Sequence, residues 1–140
     1  MPAFGYNHGM KRNLGWLVMW GTLAGAGAGA QPVACHVAYA GAVRTVVVAP
    51  SAHAEPTDPQ LTSSSIAVEI VNRLPPAPGA GVTVRTLSVR EGQPQLLHQA
   101  SYLPGARVTG PHGFTGLQVV REPTRGNELT YWCEHLPPRQ

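Results

Sequence analysis

Lysine is nearly absent from this chain of 140 residues: Lys11 is the only one, and beyond residue 30 every fixed positive charge is an arginine. From residue 31 onward eight arginines face seven carboxylates, a balance of +1 against the formal +3 of the whole sequence. So thin an excess forms no basic patch of the kind that phosphate backbones require, which excludes nucleic acid as an expected partner. Cysteine is just as scarce. With only Cys35 and Cys133, no Cys-x-x-Cys pair exists to tune a reactive thiolate. Motifs of catalysis are missing as well. No serine sits in a Gly-x-Ser-x-Gly context, and Gly25 to Gly29 does not follow a strand or open a helix as a phosphate-cradling loop must. Paired carboxylates for glycoside chemistry would have to come from Glu55, Asp58, Glu69, Glu91, Glu122, Glu128 and Glu134; Glu69 is the most interesting, alone among the apolar residues of a strand, but its alternation places it outward. The expectation is a protein that is not an enzyme.

Long apolar runs are also lacking. The greasiest segment, Leu14 to Leu23, is about half of the roughly 20 residues a membrane span needs. What precedes and follows it explains it better. Met10-Lys11-Arg12-Asn13 gives a positive start, and an Ala/Gly ladder ends in Ala28-Gly29-Ala30, which puts small residues at the two positions that govern a cut before Gln31. Residues 1–30 are therefore read as a secretory signal peptide, with Met10 as its natural start. The remainder, 31–140, is long enough for one small domain with one core, delivered to the bacterial periplasm or cell exterior with no membrane partner after cleavage.

In an oxidising compartment two cysteines and no other thiol read as one disulfide. Alternation supports the pairing. If Cys35 to Tyr39 is a strand, Cys35, Val37 and Tyr39 share a face; if Glu128 to Glu134 is another, so do Leu129, Tyr131 and Cys133, and both sulfurs point to an apolar side. A lipid on Cys35 is the rival, since lipoproteins carry an acylated cysteine directly after the cut, but Pro32 fits that pattern poorly and Cys133 would be left alone.

The rest reads as strands and turns. Valine- and isoleucine-rich runs separated by turn residues mark a packed β-domain in spite of the high proline and glycine content and low charge. Cys35–Tyr39 and Val43–Val48 flank Ala40-Gly41-Ala42 as a hairpin. Pro50 to Ser65 is a long loop, Ile66 to Val71 a strand, and Val82 to Arg90 another whose alternation changes parity near Arg85-Thr86, which predicts a bulge there. Glu91-Gly92-Gln93 turns into Gln95–Leu103, and strands Leu117–Arg121 and Leu129–Glu134 complete the set. Seven short strands with the first and last joined by a bridge predict an all-β fold, a small antiparallel sandwich of immunoglobulin-like type.

Such a fold suits a binding or interaction module, with an unknown protein or envelope component as partner. The alternative is a copper- or zinc-binding domain, because His36, His53, His98, His112 and His135 are many for so small a chain. His36 and His135 flank the two cysteines and are the candidate metal ligands. In regular strands, however, they point to opposite faces, and no His-x-His spacing supports a site. A candidate contact loop is Gly110 to Gly116, which would present His112 and Phe114 at one end of the domain.

Overall fold

The computed structural model describes residues 31–56 and 65–138, all of them strand, turn or irregular segment. The leader read into residues 1–30 lies outside these. Seven strands follow in order: β1 (Val33–Tyr39), β2 (Ala42–Val48), β3 (Ile66–Arg73), β4 (Gly81–Arg90), β5 (Gln93–Tyr102), β6 (Gln118–Arg121) and β7 (Glu128–His135). They form two antiparallel sheets, one ordered β2-β1-β7-β6 and one ordered β3-β4-β5. The chain thus runs hairpin, three-stranded meander, hairpin, and the last strand closes beside the first. No helix among the described residues is long and apolar enough to cross a membrane.

Two-residue periodicity places the core between the sheets. Val33, Cys35, Val37 and Tyr39 of β1 and Leu129, Tyr131 and Cys133 of β7 face Ile66, Val68 and Ile70 of β3 and Val82 and Val84 of β4, all of them buried. Cys35 and Cys133 are register partners on β1 and β7 and are joined by a disulfide with both residues fully shielded. The bridge therefore ties neighbouring strands of one sheet, not one sheet to the other. With the Cys35 sulfur bonded in this way, no thiol remains there to carry a lipid.

Two turns have the backbone that tight hairpins need. Ala40 and Gly41 lie at φ 50° and 78°, and Glu91 and Gly92 at 51° and 75°, so both pairs occupy the left-handed region that matches strand twist. β1 and β2 are in consequence joined by two residues and pair from Tyr39↔Ala42 to Val33↔Val48 without a slip.

The irregularity expected near Arg85-Thr86 is present, between Thr86 and Leu87 in the β4–β5 pairing, but the extra residue belongs to β5. β4 pairs with β3 in unbroken register from Ile66↔Ser88 to Arg73↔Gly81. Against β5 the register jumps from Thr86↔His98 to Leu87↔Leu96, so Leu97 is the extra residue and β5 carries the bulge. The apparent parity change arose because Thr86 and Ser88 take core-facing positions in β4 and are buried there, while Leu87 is buried on the opposite face. β3 is likewise shielded on both faces, with Ala67 and Val71 buried beside the Arg85–Glu69 ion pair at 3.1 Å.

Candidate functional site

The five histidines beyond residue 30 are dispersed, and their placement decides which readings survive. His36 stands on the outer face of the four-stranded sheet, opposite Trp132 in register. The two rings stack at 4.0 Å. The His36 Nε2–H donates to Glu134 Oε1 at 2.8 Å, and Nδ1 is bonded to the Thr45 hydroxyl at 2.9 Å. One ring thus links β2, β1 and β7 across the outside of the sheet.

His112 reaches the same place from the loop before β6. Its ring meets Trp132 edge to face at 5.7 Å, so the indole is flanked by two imidazoles. Around this group the outer face carries exposed Val43 and Val47 of β2 and exposed Val119 of β6. Sequence reasoning separated these residues. His36, Thr45, His112, Trp132 and Glu134 are spread over a separation of 98 positions and converge only because β7 pairs with β1.

The loop's own construction sets His112 and Phe114 apart. Gly113, at φ 62°, lies so close to β7 that a Cβ there would overlap the Cys133 carbonyl. Phe114 N–H then donates to that carbonyl at 3.1 Å, and Cys133 N–H donates to Thr115 Oγ1 at 2.8 Å. The segment thereby completes the edge of β7 beyond the end of β6. In doing so it turns Phe114 inward, where it is 4% exposed. Phe114 is not a presented contact: it stacks on His135 at 4.2 Å and meets Tyr102 edge to face at 5.5 Å. A large apolar ring next to a backbone pinned by the sheet edge has its lowest free energy in the core.

His135 follows Cys133 on the inner face. Its ring nitrogens are shielded and make no well-formed side-chain hydrogen bond. Burial pushes its pKa below the ordinary histidine value, with the Ala106 backbone acting in the opposite sense. Since β1 and β7 are regular through Val33↔His135, His36 and His135 lie on opposite faces of the sheet and cannot share an ion. Among the described residues no three His, Cys, Asp or Glu side chains come together as a metal site.

The remaining two serve elsewhere. His98 Nδ1 lies 3.5 Å from the Tyr131 hydroxyl, which burial, reinforced by Tyr102, pushes well above its ordinary pKa. His53 lines a shallow cleft with Arg73 and Pro78 after β2. Glu122 is a residue that the sequence did not single out for burial. It is 1% exposed, with Oε1 accepting from Thr124 and Oε2 without a partner among the described residues.

Compared with protein-family models, curated proteins and solved structures, the chain matches none.

Proposed function

We propose that this is an exported binding module, a sandwich of immunoglobulin-like type in the broad sense of two facing antiparallel sheets, whose contact surface is the outer face of the four-stranded sheet. One observation carries this reading: Trp132 lies on that face between His36 and His112, with exposed Val43, Val47 and Val119 around it. Large aromatics fixed by their neighbours give much contact area for little lost side-chain entropy, and tryptophan is enriched among the residues that dominate binding energy. Exposed apolar side chains gathered on one face mark interaction surfaces. The His36 bonds to Thr45 and Glu134 hold the platform in one geometry before a partner arrives.

Delivery outside the cytoplasm rests on the leader-like residues 1–30 and is compatible with the buried Cys35–Cys133 bridge, which belongs in an oxidising compartment. The partner is then a protein or another component of the envelope or exterior, with neither nucleic acid nor a bilayer required. The test is capture from a native envelope fraction by the oxidised protein, set beside Trp132→Ala. A component captured by the parent and lost at least tenfold by Trp132→Ala, with melting unchanged, supports the reading. Equal capture by both, or none by the parent, overturns it.

A further inference from the structure

The four edges of the two sheets are not equally protected. β6 is only four residues long, and β5 carries Pro94 and the Leu97 bulge. β3 is met at its end by Ser51, whose N–H donates to Asn72 O at 3.1 Å. Short strands, proline, bulges and covering segments are the devices that keep strand edges from pairing with other chains. Among the described residues β2 has none of these along its length, and only its last carbonyl, Val48 O, is met, by Asn72 Nδ2 at 3.2 Å. Ala42-Val43-Arg44-Thr45-Val46-Val47-Val48 is a regular, proline-free strand of seven residues, five of them β-branched, and the outermost of its sheet.

Which backbone groups the edge offers follows from the disulfide pair. Cys133 turns its N–H and C=O toward Thr115 and Phe114, away from β1. Cys35↔Cys133 is therefore a non-hydrogen-bonded pair, and Cys35 directs its own groups to Val46 on β2. Alternation then gives Arg44 and Val46 to β1 and leaves Val43, Thr45 and Val47 with N–H and C=O pointing outward. No described residue bonds to these six groups.

The set is self-complementary. In an antiparallel pairing about a two-fold axis at Thr45, Thr45 faces Thr45 of the other copy and Val43 faces Val47, so every outward group meets its counterpart. The valines so paired are the exposed ones, Val43 at 72% and Val47 at 56%. Arg44, the single charge on β2, falls opposite Val46, and no like charges meet directly. The same register carries the partner's Ala40-Gly41 turn past Val47 to Ala49. There a cleft of about 620 Å³, lined by Pro32, Val47, Ala49, Pro50 and Leu136 to Pro138, lies open to receive it.

We infer that two copies associate through β2, joining their four-stranded sheets into one continuous sheet of eight. Because Val43 and Val47 border the Trp132 platform, the pair would carry two such platforms on one surface, but the association stands whether or not that platform binds anything.

Sedimentation equilibrium on the oxidised protein at about 10–200 μM measures it. Expected is a reversible dimer, with amide exchange at Val43, Thr45 and Val47 slowing as concentration rises while exchange at Arg44 and Val46 stays constant. Val43→Lys with Val47→Lys sets like charges face to face twice and should weaken association about tenfold or more. Val43→Lys with Val47→Glu makes the same two contacts opposite in sign and should keep the dimer. Circular dichroism and melting of both double variants confirm that they fold, and Thr45→Pro, which deletes an outward N–H, gives an independent break. A monomer throughout that range overturns the inference. So does a dimer that survives both the lysine pair and Thr45→Pro, or one lost equally in the two charge variants.

Discussion

At the scale of single residues, alternation is a strong guide to which face a strand residue occupies and a poor guide to what it meets there. His36 outward and His135 inward follow from counting on from Cys35 and Cys133, and the structure agrees. What each touches does not follow from counting, because the loop that brings His112 to Trp132 and Phe114 to His135 is placed by a contact to Cys133 some twenty positions away. One consequence is testable through pH. The half-buried His135, with its ring nitrogens shielded, holds its charge less readily when folded than when unfolded, so the unfolded chain binds the extra proton. The stability that the neutral ring contributes is complete above the unfolded value of about 6.5 and is lost as pH falls through it toward the lower folded value. The expected outcome is a melting temperature that falls between about pH 7.5 and about pH 5.5, and falls less in His135→Phe, which keeps a ring on Phe114 without a proton to bind. Parallel slopes for the two proteins would show that the ring is not the source.

At the scale of elements, the hairpins were the most legible part of the chain. The turns Ala40-Gly41-Ala42 and Glu91-Gly92-Gln93 were legible as such, and the structure shortens each to two residues, Ala40-Gly41 and Glu91-Gly92, with Ala42 and Gln93 opening the next strands. The β4–β5 pair was less so, because hydrophobicity was allowed to stand for orientation. Thr86 and Ser88 are polar residues at core-facing positions, so the pattern of β4 locates the register shift beside Thr86 but not the strand, β5, that holds the extra residue. The turns also show where the sequence is not optimal. Ala40 and Glu91 have Cβ atoms and sit at φ 50° and 51°, a region that costs an ordinary residue about 1 kcal/mol and asparagine less. Ala40→Asn and Glu91→Asn should each stabilise by about 0.5–1 kcal/mol in urea unfolding. The two sites lie on different hairpins of different sheets, so their effects should add.

At the scale of the whole molecule, the first and last strands are neighbours, and one covalent bond records it. Cys35 and Cys133 are 98 positions apart, so their bridge closes nearly all of the described chain into a loop. In the chain-entropy account such a loop is worth about 4–5 kcal/mol, comparable with the entire net stability of many small domains. Both residues are at 0% exposure in the same buried cluster as Tyr131 and Ile66, which adds a kinetic consequence. A reductant cannot reach the sulfurs in the folded state. Reduction must wait for the β1–β7 pair to open, and its rate should therefore track unfolding and rise steeply with urea well below the unfolding midpoint. Once reduced, the chain should melt many degrees lower, and Cys133→Ser should do the same in the absence of any reductant. Rapid reduction in native buffer would mean that β1 and β7 part readily, and an unchanged melting temperature after reduction would mean that the two sheets hold the termini together without the bond.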